Sequence, residues 1–226
     1  CHAVVVGRGR ERAYVQYLER LDRDLELWCD RGGTEGREVS TVHLGGGTPD
    51  AVGPTLLAQL VETLRARLRT TPETEWAIET TSRGSSLESV DRLLQLGFRR
   101  LHVGVQTLDD GLRRKLGRAT PSGMVLQRLS GAMSAGMVTS VDMLYGLPGQ
   151  SAQAVLTDVA RLVDVGIHGV SLYRLNLSSQ NRELMQRFQC FNQQSIKDFV
   201  MLAAAEELLL AAGYRKNHYV HYALPQ

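Results

Sequence analysis

A glycine turn directly after an apolar, strand-like run is the first feature of the chain that could do chemistry. Glycine adopts positive φ angles and lets a ligand approach backbone N–H and C=O groups closely. The turn lacks the Lys-Ser/Thr pair of a phosphate-binding loop and the spacing of a GxGxxG dinucleotide turn. By itself it indicates either a ligand-binding turn or a tight connection. Its residues are Gly45, Gly46, Gly47, Thr48 and Pro49.

Polar side chains also stand at the ends of later strand-like runs. Carboxylates there can accept hydrogen bonds from ammonium or hydroxyl groups, and an arginine farther along can grip a carboxylate with two hydrogen bonds. The alternatives are an ordinary ion pair for the arginine and the aspartate, and the capping of strand ends for the amides. A glutamate within an apolar strand has few structural explanations. These residues are Glu79, Gln106, Arg118, Asp142 and Asn176.

Strand-like and helix-like segments alternate along the chain. Repeated strand–helix units imply a parallel sheet with right-handed crossovers, which either a doubly wound sheet or a barrel satisfies. In both folds ligands gather at the carboxyl ends of the strands. The predicted strands are Val39–Leu44, Trp76–Thr80, Arg100–Val105, Val138–Leu144 and Gly169–Leu175. The predicted helices are Glu11–Trp28, Thr55–Leu68, Leu87–Leu96, Met124–Ala135, Ala152–Val165 and Ile196–Ala212.

Composition excludes several classes of function. The 226 residues suit one domain, and 26 basic against 24 acidic residues create no strong field for nucleic acid or an anionic membrane. No apolar run approaches the roughly 20 residues of a membrane span. The three cysteines are odd in number and scattered, which is typical of a reducing cytoplasm rather than a disulfide framework. We therefore expect a cytoplasmic protein without nucleic-acid or membrane partners.

An ordered set of motifs resembles a known family. Together with the glycine turn, the motifs closely resemble the radical S-adenosylmethionine (SAM) family typified by oxygen-independent coproporphyrinogen III oxidase, the HemN-like group. The resemblance runs from Val39 to about Tyr214 and implies an α/β fold, a partial (β/α)6 TIM-like barrel of radical SAM type. From this resemblance we expect residues 1–226 to form the core domain of such a protein. We expect this domain to be truncated at both ends and the substrate-binding C-terminal domain to lie outside these residues. The motifs are Gly104–Asp110, Leu116–Arg118, Val141–Gln150 and Val170–Tyr173.

The resemblance also implies roles for single residues. The glycine turn, from Gly45 onward, would contact the amino-acid part of SAM, with Gly46 at one SAM and Gly47 and Thr48 at a second. The implied cofactors are therefore two SAM molecules and a [4Fe–4S] cluster. The implied partners are a small-molecule substrate and an electron donor such as flavodoxin or ferredoxin. Other residues that match SAM-binding positions of the family are Glu79, Gln106, Arg118, Asp142 and Asn176.

The cluster motif of the family is incomplete in this chain. A [4Fe–4S] cluster of this type needs three thiolates in a Cys-x3-Cys-x2-Cys run, and no such run is present. Cys1 precedes Tyr14 by 13 residues, about where the third cluster cysteine would stand. We expect Cys1 to be a metal ligand with two cysteines upstream; the alternative is an accidental position. Cys29 and Cys190 lack cluster spacing.

The segment after the last predicted strand bears on the reaction. Residues 174–181 lack the Pro-Gly-Thr segment of many haem-linked members. This favours the branch of methyltransferases and cyclopropane-forming enzymes in natural-product and antibiotic biosynthesis. In that branch a radical made from one SAM activates the methyl group of the second, which is added to an sp² carbon. The alternatives are oxidative decarboxylation of a porphyrinogen and a haem chaperone.

Histidines and tyrosines near the motifs have weaker assignments. His43 and His102 alternate with apolar strand residues and face either the barrel interior or the helices. We expect them to pack in the barrel or core, and catalysis is the alternative. His221 and Tyr173 are the candidates for direct roles in catalysis. Tyr145 is either a ligand wall or a packing residue.

Overall fold

Our computed structural model describes residues 11–31, 37–175, 186 and 195–225. Within these residues, strands and helices alternate as the sequence predicts. The helices are α1 (Glu11–Arg31), α2 (Pro54–Arg67), α3 (Leu87–Gln95), α4 (Asp110–Lys115), α5 (Ser122–Ser134), α6 (Ala152–Asp164) and α7 (Ser195–Ala211), with a 3-10 helix at Pro49–Val52. The strands are β1 (Val39–Leu44), β2 (Thr70–Thr81), β3 (Arg100–Gln106), β4 (Val138–Tyr145), β5 (Gly169–Arg174), β6 (Arg215–Lys216) and β7 (His221–Ala223).

All strands form a single sheet with the order β1-β2-β3-β4-β5-β7-β6. Strands β1 to β5 are parallel, as predicted, whereas β7 runs antiparallel to both β5 and β6. The two antiparallel strands were not predicted, because three residues or fewer carry no readable alternation. β2 also starts at Thr70, earlier than the predicted start at Trp76. In this additional stretch, Thr74 Oγ1 donates a hydrogen bond to the carbonyl of Val39 over 2.6 Å.

The core lies between the sheet and the helices that follow its strands. Side chains alternate along β3, so that Leu101, Val103 and Val105 are fully buried on the helix side. Ile78 and Val141 continue this apolar layer on the neighbouring strands. Burying each such side chain stabilises the fold by about 1.5–3 kcal/mol. The other face of the strands is left for polar groups.

Glycines end the helices where the sequence predicts. Gly97 follows α3 with φ 94°, and Gly136 follows α5 with φ 93°. A side chain would be strained at such positive angles, so glycine is the natural residue there. No helix within the described ranges is both long and apolar enough to cross a bilayer.

A buried aspartate fixes the connection between β3 and α4. Asp158 on α6 is 4% exposed, and its Oδ2 accepts hydrogen bonds from Thr107 Oγ1 at 2.6 Å and from the Leu108 N–H at 2.9 Å. Arg161, one turn later, donates to the Leu108 carbonyl at 3.3 Å. The segment that follows the end of β3 is therefore anchored to the helix layer.

Replacing Asp158 by asparagine should change how stability depends on pH. Burial raises the pKa of Asp158, although its hydrogen bonds to Thr107 and Leu108 act in the opposite direction. Because the folded state then binds more protons than the unfolded state, wild-type stability falls as pH rises from about 4 through the raised pKa. The asparagine side chain keeps an acceptor oxygen without this loss. Urea unfolding from about pH 4 to about pH 8 should show the variant gaining stability relative to wild type; a constant difference would contradict this.

Candidate functional site

Inward-facing polar side chains line the face of the sheet opposite the apolar core, which we call the inner face. Neighbours in register point to the same side of a sheet. One row across this face joins Glu79, His102 and Ser140, and the next joins Gly104, Asp142, Ser171 and His221. The strand alternation that buries the apolar layer thus gathers carboxylates and imidazoles from distant parts of the chain.

The glycine turn is tied to β2 through Glu79. Glu79 Oε2 accepts a hydrogen bond from the Gly46 N–H at 3.1 Å, and Oε1 lies 3.1 Å from His43 Nε2. A Cβ atom on Gly45 would stand 2.6 Å from Glu79 Oε1, so a side chain there would displace the carboxylate. By contrast, no atom lies within 4 Å of a Cβ built on Gly46 or Gly47. The turn is therefore open to a ligand on its outer side.

Gln106 ends β3 in an unusual backbone conformation. Its φ of 75° makes it the one residue other than glycine with a positive φ in the described part of the chain. The pairing of β3 with β4 shifts register between Gly104 and Gln106. A Cβ on Gly104 would lie 3.0 Å from Gln106 Nε2, so the glycine leaves room for the amide on the inner face.

Asp142 on β4 faces His102 on β3. Asp142 Oδ1 lies 2.7 Å from His102 Nε2, and His102 Nδ1 lies 2.7 Å from Ser140 Oγ. The short approach lacks hydrogen-bond geometry, so the buried Asp142 Oδ1 has no hydrogen-bond partner among the described residues. This oxygen therefore has room for a further donor, such as a water molecule or a ligand group.

The two strand histidines take one of the two orientations that the sequence allows. Both His43 and His102 lie on the inner face, the barrel side of the sheet, beside carboxylates, with side chains 49% and 18% exposed. His102 is thus a candidate functional residue that the sequence analysis missed. The available signal was its two-residue spacing from Gly104 and Gln106, which places all three on one face.

Arg118 lies after α4, and its backbone N–H donates to the Arg113 carbonyl at 2.8 Å. Burial lowers the pKa of its guanidinium. Within residues 11–31, 37–175 and 195–225, no hydrogen bond or ion pair joins its side chain to another residue, so the ordinary ion pair considered above is not found there. A partly buried cation of this kind suits an anionic ligand group such as a carboxylate.

The two candidate catalytic residues lie on the same inner face. Tyr173 is 43% exposed, and its pKa is raised first by partial burial and then by the carboxylate of Asp142, although its hydrogen bond with Ser171 lowers it. His221 Nδ1 lies 2.9 Å from Ser171 Oγ, and burial lowers the pKa of this imidazole, followed by the charge of His102. Tyr145, in contrast, is buried in the apolar core and is a packing residue.

Three residues of interest lie outside the described residues: Cys1, Asn176 and Cys190. Cys29 lies on α1, where its Sγ contacts the Arg67 carbonyl at 3.6 Å. No group of three His, Cys, Asp or Glu side chains in the described ranges could hold a metal ion. The described residues therefore do not themselves provide an iron–sulfur site.

If the inner face binds SAM, as the family resemblance implies, replacing His102 by leucine should lower the affinity for SAM about 3- to 10-fold, because Asp142 loses the imidazole that lies 2.7 Å from its Oδ1. Leucine leaves Asp142 with no imidazole to hold its carboxylate in place. His102→Gln keeps a polar hydrogen at similar reach and should lose less affinity. Calorimetric titration with SAM measures both. Equal affinities for wild type and the leucine variant would show that His102 does not orient Asp142.

Comparison with protein families gives one match over most of the chain. The model of the radical SAM superfamily matches residues 5–162. Among curated proteins, the anaerobilin synthase of Escherichia coli O157:H7 is 32% identical over 174 residues, which are 76% of this chain and 39% of that protein. The oxygen-independent coproporphyrinogen III oxidase of Salmonella typhimurium LT2 is 27% identical over 235 residues, 98% of this chain and 48% of that protein.

The haem chaperone HemW of Escherichia coli K12 is 26% identical over 214 residues, 94% of this chain and 54% of that protein. The chain thus spans about half the length, or less, of the curated relatives it matches. Among solved structures, Escherichia coli coproporphyrinogen III oxidase (HemN) superposes with a TM-score of 0.87 and 24% identity, over 100% of this chain and 54% of that chain. This likeness confirms the predicted fold, a partial TIM-like barrel of which the described residues form five parallel strands.

Proposed function

The chain belongs to the radical SAM superfamily, and from that premise we propose that its inner face binds SAM in an enzyme that cleaves SAM reductively. The observation that carries the proposal is the set of polar groups with unused hydrogen-bonding capacity among the described residues. On the inner face, Asp142 Oδ1 makes no hydrogen bond there, although the His102 imidazole lies 2.7 Å away, and Arg118, after α4, has no side-chain partner among those residues. Together with the open glycine turn they match a zwitterionic ligand.

Each residue has a task that follows from its chemistry. Burying the ammonium and carboxylate of SAM without partners would cost several kcal/mol. Glu79, which also accepts a hydrogen bond from the Gly46 N–H, can accept hydrogen bonds from the ammonium group, and Arg118 can bind the carboxylate through two hydrogen bonds. Asp142, within β4, and Gln106, at the end of the adjacent β3, can hydrogen-bond ribose hydroxyls.

When bound, SAM and a [4Fe–4S] cluster supply a 5′-deoxyadenosyl radical, the chemistry of the superfamily. In our proposal Cys1 contributes one thiolate to that cluster. The inner face contributes orientation and charge neutralisation, and its partly buried side chains limit access of water to the ligand. Asp142, whose side chain is 26% exposed, is one example.

We further propose that a second SAM binds, and that the whole protein transfers a methyl-derived carbon to an sp² carbon of a small molecule. The open side of the glycine turn supports this, because a Cβ built on Gly47 would meet no atom within 4 Å, which leaves room for a second ligand beside the turn. In our proposal Tyr173 and His221, which lie on the inner face, contact the acceptor.

A tetrapyrrole reaction is the second candidate function. The observation that favours it is the set of aligned relatives: an anaerobilin synthase, coproporphyrinogen III oxidases and haem chaperones. Under this alternative the inner face would bind SAM in the same way, but the substrate would be a porphyrinogen or haem. The two candidates therefore differ in products rather than in the SAM site.

Product analysis distinguishes them. Full-length protein with a reconstituted cluster is incubated anaerobically with SAM and dithionite, and nucleosides are quantified. Methylthioadenosine or S-adenosylhomocysteine together with 5′-deoxyadenosine supports carbon transfer, whereas 5′-deoxyadenosine alone supports hydrogen abstraction from a substrate. Stable haem binding without SAM cleavage supports the chaperone. Failure to bind SAM at all would contradict the proposal for the inner face.

A further inference from the structure

One arginine of this chain is buried without a carboxylate in hydrogen-bond contact. Arg113 on α4 is 1% exposed, and burial, followed by the nearby charge of Arg118, lowers the pKa of its guanidinium. All the hydrogen bonds its side chain makes in the described structure go to neutral acceptors. A buried charge is unfavourable unless its hydrogen-bond donors are satisfied. The groups that accept hydrogen bonds from the Arg113 guanidinium therefore indicate the role of this residue.

Two of those acceptors flank Gln106. Nη1 of Arg113 donates to the Val105 carbonyl at 3.0 Å and to the Thr107 carbonyl at 2.7 Å. Gln106 lies between them with φ 75°, a left-handed conformation that is unfavourable for a residue with a Cβ. One guanidinium nitrogen thus holds the peptide group that precedes the strained residue and the carbonyl of the residue that follows it.

The remaining bonds of Arg113 fasten neighbouring segments. Nε donates to the Thr120 carbonyl at 2.9 Å, beyond Arg118, and Nη2 contacts Ser82 Oγ at 3.4 Å, just after β2. The same side chain therefore links the end of β3 to the two segments that lead away from Glu79 and Arg118. A backbone in an unfavourable conformation, such as that of Gln106, persists only when the surrounding structure holds it there.

We propose that Arg113 is a positioning residue for the SAM site: it holds Gln106 in the left-handed conformation that directs its amide onto the inner face. The proposal rests on the proposed function, because it assigns the Gln106 amide to SAM. If φ of Gln106 relaxed to negative values, the Cα–Cβ bond would turn and the amide would leave its place beside Gly104. Arg113 itself does not touch the ligand.

The test is a double-mutant cycle read as SAM affinity. The variants of the full-length protein are Arg113→Lys, Gln106→Ala and their combination, with Arg113→Gln as a second choice where the lysine variant does not fold. Arg161→Lys is the matched control, since Arg161 also donates to a carbonyl of this connection, that of Leu108, without touching a neighbour of Gln106. Anaerobic calorimetry with SAM gives affinities, and thermal unfolding reports the fold.

We expect Arg113→Lys to weaken SAM binding about tenfold in the wild-type background and to have almost no further effect in the Gln106→Ala background. The Arg161→Lys control should bind SAM as wild type does. An equal loss in both backgrounds would mean that Arg113 supports the fold generally, and unchanged affinity would mean that it has no part in SAM binding. Both results overturn the inference while wild type still binds SAM. If wild type itself does not bind SAM, the proposed function fails and the inference with it.

Discussion

Replacing Glu79 by leucine is expected to lower the affinity for SAM about 100-fold. The Glu79 carboxylate accepts a hydrogen bond from the Gly46 N–H and lies 3.1 Å from His43 Nε2. In our proposal it also accepts a hydrogen bond from the ammonium group of SAM. Hydrogen bonds to charged groups contribute about 1.5–3 kcal/mol each, and each 1.4 kcal/mol is about tenfold in affinity. Losing one such contact to SAM and the alignment of the turn accounts for the expected change. Calorimetric titration of the full-length protein with SAM is the measurement.

Two variants make this result interpretable. Glu79→Gln keeps the shape and one acceptor oxygen, so an intermediate loss indicates that charge contributes beyond shape. Glu75 lies four residues earlier on the same strand and face, where it pairs with Arg100 at 2.8 and 3.0 Å. Glu75→Gln should leave SAM affinity unchanged, because this partly exposed pair contributes little. A similar loss of SAM affinity in the Glu79 and Glu75 variants would indicate that SAM binds elsewhere.

Replacing Gly45 by alanine is expected to impair SAM binding by about 10- to 100-fold with little loss of fold stability. The new methyl group would stand 2.6 Å from Glu79 Oε1 and 2.8 Å from His43 Nε2. Both atoms belong to partly exposed side chains that can swing away, so the backbone need not shift. The carboxylate would then leave the Gly46 N–H, and the site would lose the contact that aligns the turn. SAM affinity and thermal unfolding together measure the two effects.

The control for this substitution is Gly123→Ala. No atom lies within 4 Å of a Cβ built at Gly123, near the start of α5, so alanine should leave SAM affinity unaltered and favour the helix slightly. If Gly45→Ala bound SAM as wild type does, the position of Glu79 against the turn would be irrelevant to the ligand. If it unfolded, the glycine would be needed for the fold instead.

The site residues were recognisable from sequence to different degrees. The glycine turn, Glu79, Gln106 and Asp142 were predicted as polar residues at the ends of apolar runs, and these runs became β1 to β4, with Asp142 inside β4 rather than at its end. Arg118 was singled out by its motif, and the structure adds that its partly buried side chain has no partner among the described residues. The roles of all these residues toward SAM stay predictions that the experiments above test.

Other features could not be predicted. Packing was the expected role of His102, because an imidazole between leucine and valine is typical of a core residue. The register of β3 and β4 places it 2.7 Å from Asp142. Arg113 belongs to a surface-like run of charges on α4, and nothing in that run indicates that its guanidinium reaches back to the carbonyls flanking Gln106.

The sequence by itself determined the order of the five parallel strands and of the helices other than α4, the apolar face of these strands, and the family of the chain. These properties are local, since alternation, helix periodicity and glycine turns depend on residues only a few positions apart. The tertiary structure alone decided which polar groups meet: Glu79 with Gly46, His102 with Asp142, and Asp158 with Thr107, pairs 33 to 51 residues apart. Such contacts depend on strand register and on how the helices cover the sheet, and no short segment encodes either.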